Sequence, residues 1–420
     1  MGTGSSYEAQ RSIQRKNAYE VQKSTLQESV SAGIDYARET ADEEVLELID
    51  EQMIRLSGES QLTLQEKKMM RQEVFYSIRR LDVLEDLLAS PEITEIMING
   101  AGHIFVEEKG AVREADCHFS SEEKLMDVVQ RIVSSCNKVV NAASPIADAR
   151  LAGGERVSVV LPPVALNGPV VTIRKFPEKP VEMNDLIGWE SISAEAAAFL
   201  GRLVAAGYNI FISGGTGSGK TTFLNALTAF IPPTERVITI EDNAELQILH
   251  IPNLVRMETR DAHLEGCTPV SIRDLIKTSL RMRPDRIIVG EVRGAETIDM
   301  VQAMNTGHDG SLSTGHANSA ADMMERLVVM YMMGMDLNPD AIRRQLASGI
   351  DIVVHLGRLR DRSRKVLEIA QTQGSADGHV RLCTLYRFRE EGERNGRIYG
   401  RWEKTGELTN TFKLALAGLS

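Results

Sequence analysis

The sequence predicts an α/β protein: a parallel sheet flanked by helices around a phosphate loop, preceded by a smaller α+β module and a helical N-terminal region. Two observations carry the prediction. Gly214-Gly215-Thr216-Gly217-Ser218-Gly219-Lys220-Thr221 fits G-x-x-x-x-G-K-[ST] at every defined position. Beyond Ser193, short apolar runs around Phe211, at Val237-Ile238-Thr239-Ile240 and at Ile287-Ile288-Val289 alternate with helical or loop segments, as parallel strands require.

The loop dictates its chemistry. Asn209-Ile210-Phe211-Ile212-Ser213 reads as a buried strand, and Thr222-Phe223-Leu224-Asn225-Ala226-Leu227 continues as a helix. The glycines let the backbone curl so that several N–H groups face inward, where they and the positive end of the helix dipole hold an anion. Gly214 to Thr222 would line the phosphates of ATP, with Lys220 reaching the β- and γ-phosphates and the Thr221 hydroxyl ligating Mg²⁺.

Composition narrows the class. A chain of 420 residues holds two or three domains, and 42% hydrophobic with 25% charged residues is a globular balance. The net charge of -11 counts against general nucleic-acid binding while leaving room for a local basic channel. Cys117, Cys136, Cys267 and Cys383 are far apart and form no C-x-x-C pair, so neither a zinc knuckle nor a disulfide framework is expected, and a cytoplasmic setting is. The start of the chain lacks the apolar core of a signal peptide, and no apolar stretch approaches the ~18 residues of a membrane span.

In chain order, residues 1–87 are rich in Glu, Gln, Lys and Arg, with Val45, Leu46, Leu48, Ile49, Met53, Ile54 and Leu56 at helical spacing. This reads as a helical region with solvated charged faces. Residues 88–178 change texture: Glu95–Gly100 and His103–Glu107 are strands broken by turns, Glu122–Val133 is a helix, and Val157–Leu161 and Val170–Arg174 are two more strands. Residues 179–192, opening with Lys179-Pro180-Val181-Glu182, are expected to be a linker. Residues 193–420 form the α/β domain, ending from Asp351 onward in antiparallel strands.

A phosphate loop alone hydrolyses nothing; a carboxylate must manage Mg²⁺ or the attacking water, from the C-terminal ends of neighbouring strands. Glu291 ends one such strand, and Glu241 with Asp242 ends another, with Glu245 close behind. Acids at strand ends also cap following helices, so a catalytic role is one of two readings. His316 lies in the glycine-laced stretch Thr306–Ser319, either as a structural hydrogen bonder or as a reporter of phosphate. Arg156 and Arg174 read, on residues alone, as surface charges.

Together these stretches carry a family resemblance. Gly214–Thr221, Ile240–Glu245, Arg283–Gly294 and Thr306–Ser319 resemble, in order, the Walker A, Asp box, Walker B and His box of the type II/type IV secretion ATPases. Glu95–Gly110, Gly154-Glu155-Arg156-Val157, Leu161-Pro162-Pro163 and Thr172-Ile173-Arg174-Lys175-Phe176 resemble the CpaF-like branch, the motor of tight-adherence (Tad/Flp) pili. The resemblance implies a homohexameric ring of RecA-like P-loop ATPase domains, each behind a PAS-like domain, on the cytoplasmic face of the inner membrane. The ring would sit against a polytopic, TadB/TadC-like platform protein and turn ATP hydrolysis into pilin assembly. It assigns phosphates to Lys220, Mg²⁺ to Thr221 and Glu291, the attacking water to the Asp-box acids Glu241, Asp242 and Glu245, and the His-box role to His316. Arg156 and Arg174 match arginines that approach the phosphates from the N-terminal domain when the two domains close.

Two departures from better-known P-loop ATPase patterns stand out, the first of which this family usually shares. Walker B ends in Gly290-Glu291 rather than a double carboxylate, so a second acid must come from the Asp box, and the four-cysteine zinc module of some type II motors is absent. Two other functions remain readable: a nucleic-acid transport motor of a conjugation or competence system, and a scaffold that binds ATP without turning it over.

Overall fold

The structure, a computed structural model, describes residues 4–34, 40–56, 62–108, 110–136, 138–176, 179–260 and 268–419. They fall into two compact units, Met1–Glu178 and Lys179–Ser420.

The first unit opens with three helices, α1 (Gly4–Gly33), α2 (Asp42–Leu56) and α3 (Leu64–Arg79), around Leu26, Val30, Val45, Ile49, Met70 and Val74. In α2 the apolar periodicity resolves in part: Val45 and Ile49 are buried, while Ile54 and Leu56 are exposed. A capping box starts α3, the Thr63 hydroxyl accepting the Glu66 N–H and the Glu66 carboxylate accepting that of Thr63 at 2.7 Å.

There follow α4 (Leu84–Ala89), β1 (Ile93–Asn99), β2 (Ile104–Glu108), β3 (Ala111–Glu114), α5 (Glu122–Ser135), β4 (Ile146–Arg150), β5 (Arg156–Val160) and β6 (Val170–Arg174). The strands make an antiparallel sheet in the order β3-β2-β1-β6-β5-β4, and α5 packs Leu125, Val128, Val129, Ile132 and Val133 into its core. Leu81, Val83 and Leu84 already pack on that core, so the sheet's hydrophobic territory begins before Leu88. The sequence concealed β3 and β4 for a physical reason. All four residues of β3 are exposed and β4 buries only Ala147, so neither shows strong apolar alternation.

The second unit contains α6 (Met183–Gly188), α7 (Ala194–Ala205), β7 (Ile210–Gly214), α8 (Lys220–Thr228), β8 (Val237–Glu241), β9 (Leu254–Glu258), α9 (Ile272–Ser279), β10 (Arg286–Val289), α10 (Thr297–Asn305) and β11 (Leu312–Gly315). It continues with α11 (Ala320–Met332), α12 (Pro339–Gly349), β12 (Ile352–Arg358), β13 (Arg364–Ala376), β14 (His379–Arg394), β15 (Arg397–Lys404) and α13 (Phe412–Leu416). The described residues form one sheet in the order β15-β14-β13-β12-β7-β11-β10-β8-β9, parallel from β12 to β9 and antiparallel from β12 to β15. Its strands alternate between two cores: Ile210 and Ile212 pack with Leu224, Ile288 and Leu312, whereas Phe211 packs with Ile238, Ile240, Ile287 and Val289. Burial on both faces is why these strands read as continuous apolar runs.

The segment expected as a linker is partly structural. Met183, Leu186 and Ile192 are buried in the second unit's core, and the Glu182 N–H donates to Asp185 Oδ2 at 2.9 Å to start α6. The prolines that suggested a linker end just before that helix begins. Cys117, Cys136 and Cys383 are free, and Cys267 lies outside the described residues. Among the described residues no helix is long and apolar enough to cross a membrane.

Candidate active site

Strands β7, β11, β10 and β8 are parallel neighbours, so their C-terminal ends open on one edge of the sheet, where open α/β sheets bind ligands. The Gly214–Gly219 loop follows β7, His316 follows β11, Glu291 follows β10, and Glu241 ends β8. Sequence-distant groups are brought together there by strand order.

Two glycines have no substitute in the loop. Gly217 and Gly219 take φ values of 71° and 91°, in the left-handed region, and Gly219 is the N-cap from which α8 starts. Gly214 is needed for space: a β-carbon there would stand 2.5 Å from the Leu356 carbonyl oxygen of β12. Gly215, Thr216 and Gly217 are exposed, and Ser218 and Lys220 are buried. The loop is braced by the β12–β13 hairpin, whose Arg364 donates through Nε to the Gly217 carbonyl at 2.9 Å. Behind it, His355 of β12 hydrogen-bonds Ser213 Oγ at 2.7 Å.

Lys220 curls over the loop, donating to the Gly215 carbonyl and to His316 Nδ1, both at 3.2 Å. Burial lowers its pKa below that of an ordinary lysine, against the attraction of Glu291. His316 Nε2 lies 2.9 Å from Glu291 Oε1, close enough for electrostatic attraction but out of line for a hydrogen bond, which leaves Oε1 shielded from water without a donor. Burial lowers the His316 pKa below the usual imidazole value and favours the neutral ring.

The Asp-box acids separate by environment. Glu241 is only 3% exposed; its Oε1 accepts the N–H groups of Glu245 (2.9 Å) and Leu246 (3.1 Å), while Oε2 is buried without a partner. Burial pushes its pKa up to about 7. Glu241 thus folds the Asp-box loop, while Asp242 is exposed and Glu245 half-buried. The departure at Gly290 becomes intelligible here: a β-carbon on Gly290 would come within 2.9 Å of Glu241 Cγ, so Glu241 occupies the room a side chain at 290 would need.

Arg156 and Arg174 belong to the first unit. They are directly opposed on β5 and β6, and Arg150 of β4 opposes Arg156 in turn, so three arginines line one row of the antiparallel sheet. On its other side Arg174 is opposed by Glu95 of β1, so the row continues with an acid.

The sequence reading missed three features. Arg293, two residues beyond Glu291, donates through Nη2 to Glu291 Oε2 at 2.9 Å. Arg364 braces the loop, and the alternation Arg358, Arg360, Arg362, Arg364 was its sequence signal. A cavity of about 210 Å³ beside Ser218, Gly219 and Thr222 is walled by Leu186, Trp189, Phe223 and Val366. Its position against the start of α8 and its apolar lining suit a nucleobase.

The donor set also fits a divalent cation held with a nucleotide. The hard oxygens are the Thr221 hydroxyl and the Glu291 carboxylate, and among the described residues no group of three or more His, Cys, Asp and Glu forms a self-sufficient metal centre.

The family model described as "Type II/IV secretion system protein" matches residues 79–396. A Mycobacterium tuberculosis protein named for conjugal transfer is 34% identical over 310 residues, covering 72% of this chain and 87% of that protein. The type IV secretion system protein PtlH of Bordetella pertussis is 33% identical over 321 residues, covering 70% and 94%. Among solved structures, the ATPase DotB of Yersinia pseudotuberculosis shares the fold, with a TM-score of 0.50 at 17% identity over 69% of this chain and 78% of that one.

Proposed function

The chain belongs to the type II/IV secretion system protein family, and on that premise we propose that it is a motor ATPase of the CpaF-like branch, working as a homohexamer. Hydrolysis would drive assembly of a Tad/Flp-type pilus or type II/IV-like protein secretion, with a TadB/TadC-like platform protein in the inner membrane as partner and the chain on its cytoplasmic face. In this reading residues 1–87 are a helical arm, 88–178 a PAS-like domain and 193–420 the RecA-like motor.

The observation that carries it is the chain of contacts from Lys220 through His316 to Glu291, which joins the phosphate loop to the Walker B acid. Lys220 exchanges its contact with His316 Nδ1 for phosphate oxygens, and the N–H groups of the loop hold the remaining phosphate charge. Thr221 and Glu291 would hold Mg²⁺ together with the nucleotide, and the ion would supply charge neutralisation on the β- and γ-phosphates. Glu245 and Asp242 orient water, on a loop that Glu241 holds in shape. Arg156 and Arg174 approach the γ-phosphate from the first unit, which makes domain closure depend on the nucleotide.

The test is phosphate release by the full chain. Turnover should vanish in Lys220→Ala and Glu291→Gln while circular dichroism stays that of the wild type. Turnover unchanged in both variants, or no turnover in the wild type, would sink the proposal, the latter leaving the scaffold. The name of the mycobacterial relative supports a second reading, transport of nucleic acid in a conjugation system. Salt-sensitive retention of single-stranded DNA and stimulation of turnover by it would favour that reading.

A further inference from the structure

Arg293 sits at the metal-side acids by construction. Glu296 Oε1 accepts the backbone N–H groups of both Arg293 (2.5 Å) and Gly294 (2.8 Å), which fixes the turn just before α10. That turn sends the Arg293 side chain back across the ends of β10 and β8. It is 66% exposed, yet Nη2 donates to Glu291 Oε2 at 2.9 Å and Nη1 stands 3.8 Å from Asp242 Oδ2, with the charge of Glu245 also acting on it. Holding a long, exposed side chain in one place costs conformational entropy, so the negative potential of these acids must be strong enough to offset it. The other oxygen of Glu291, Oε1, has no donor in line. One carboxylate thus has one oxygen tied to a guanidinium and the other buried without a donor.

We infer that Arg293 is a positioning residue that takes the place of a divalent cation beside Glu291: it holds Glu291 and Asp242 together before a metal–nucleotide complex arrives and releases Glu291 Oε2 when it does. The inference rests on the reading of Glu291 as the metal-side carboxylate. Repulsion between neighbouring carboxylates would otherwise spread them, and a guanidinium restrains them reversibly because an exposed ion pair is weak. The cation and the guanidinium compete for the same oxygen, so the arginine raises the metal concentration at which the site fills.

The experiment is a titration of Mn²⁺, a paramagnetic stand-in for Mg²⁺, into the full chain with ADP, free metal being read by electron paramagnetic resonance. Arg293→Gln should bind Mn²⁺ about fivefold more tightly than the wild type, the effect of removing one competing, partly exposed charged contact. Arg293→Lys, which keeps the charge but cannot bridge two acids with a planar fork, should fall between them and serves if the glutamine variant does not fold. In a Glu291→Gln background, Arg293→Gln should leave the metal affinity nearly unchanged, because the contact it competes for is gone. Weaker or unaltered Mn²⁺ binding in Arg293→Gln, with fluorescent ADP still bound, overturns the inference alone. No binding of fluorescent ADP by the wild type overturns the nucleotide site and the inference with it.

Discussion

His316 stands with one ring nitrogen 2.9 Å from Glu291 Oε1 and the other accepting a 3.2 Å hydrogen bond from Lys220 Nζ. An ammonium can only donate, so Nδ1 accepts and the ring proton rests on Nε2, near the carboxylate but out of line with Oε1. The histidine after β11 therefore ties the lysine of the phosphate loop to the acid after β10. In the proposed reading, a phosphate that draws Lys220 away would free Nδ1 and change the ring's position beside Glu291.

Replacing that ring separates the two roles. His316→Ala should lower turnover about 10- to 100-fold, the scale of a lost hydrogen bond to a charged group, while fluorescent ADP binds nearly as before. A parallel loss of ADP binding would make His316 a prop for the loop instead.

Glu241 makes stability depend on pH. Buried, it keeps its proton up to about pH 7, whereas an unfolded glutamate loses it near 4.5. Between those values the folded state binds the extra proton. The contribution is therefore full below the lower value and lost as pH rises through the window, by at most about 3 kcal/mol. Urea unfolding at about pH 5 and about pH 8 should show the wild type losing more stability on the alkaline side than Glu241→Gln. Equal losses would refute the assignment.

Gly290 and Glu241 should behave as a pair. In Gly290→Ala the new β-carbon meets Glu241 Cγ at 2.9 Å, and the side chain it meets is pinned by two backbone N–H groups. A loss of about 1–3 kcal/mol is expected, as for overpacking in a filled core, together with reduced turnover. Glu241→Ala in the same chain should recover part of the Gly290→Ala loss, and strictly additive losses would count against the contact.

Far from the nucleotide, Arg286 at the start of β10 is 2% exposed, donates to both oxygens of Glu235 and also donates to the Val204 carbonyl. Arg286→Ala should destabilise the second unit by about 3–5 kcal/mol in urea, since it empties a large buried volume and strands a carboxylate. Replacing Arg286 by Met and Glu235 by Leu together should cost much less, because no charge is then left unpaired.

The brace on the phosphate loop is testable by itself. Arg364→Ala removes the donor to the Gly217 carbonyl and should weaken fluorescent ADP binding about fivefold, with turnover at saturating ATP little changed. A fall in turnover with unaltered ADP affinity would place Arg364 in the chemistry rather than in support of the loop.

The motor half was legible because its signals are local. A phosphate loop needs its glycines, lysine and threonine in one contiguous stretch, since a single strand–turn–helix supplies every backbone N–H it uses. Acids ending apolar runs could likewise be expected at the open edge of the sheet. What stayed hidden were elements with little apolar pattern, such as the fully exposed β3, and α6, masked by the prolines before it.

By itself, then, the sequence determined the α/β class, the loop and the identities of Lys220, Glu291 and His316 as its companions. Only the tertiary structure decided how the environments of the acids differ. Strand order sets Glu241 behind Gly290, buried and holding the Asp-box loop, and brings Arg293 between Glu291 and Asp242. Burial and the distance between charges arise when strands distant in sequence become neighbours, and those two quantities set whether a carboxylate holds a proton, a loop or a metal.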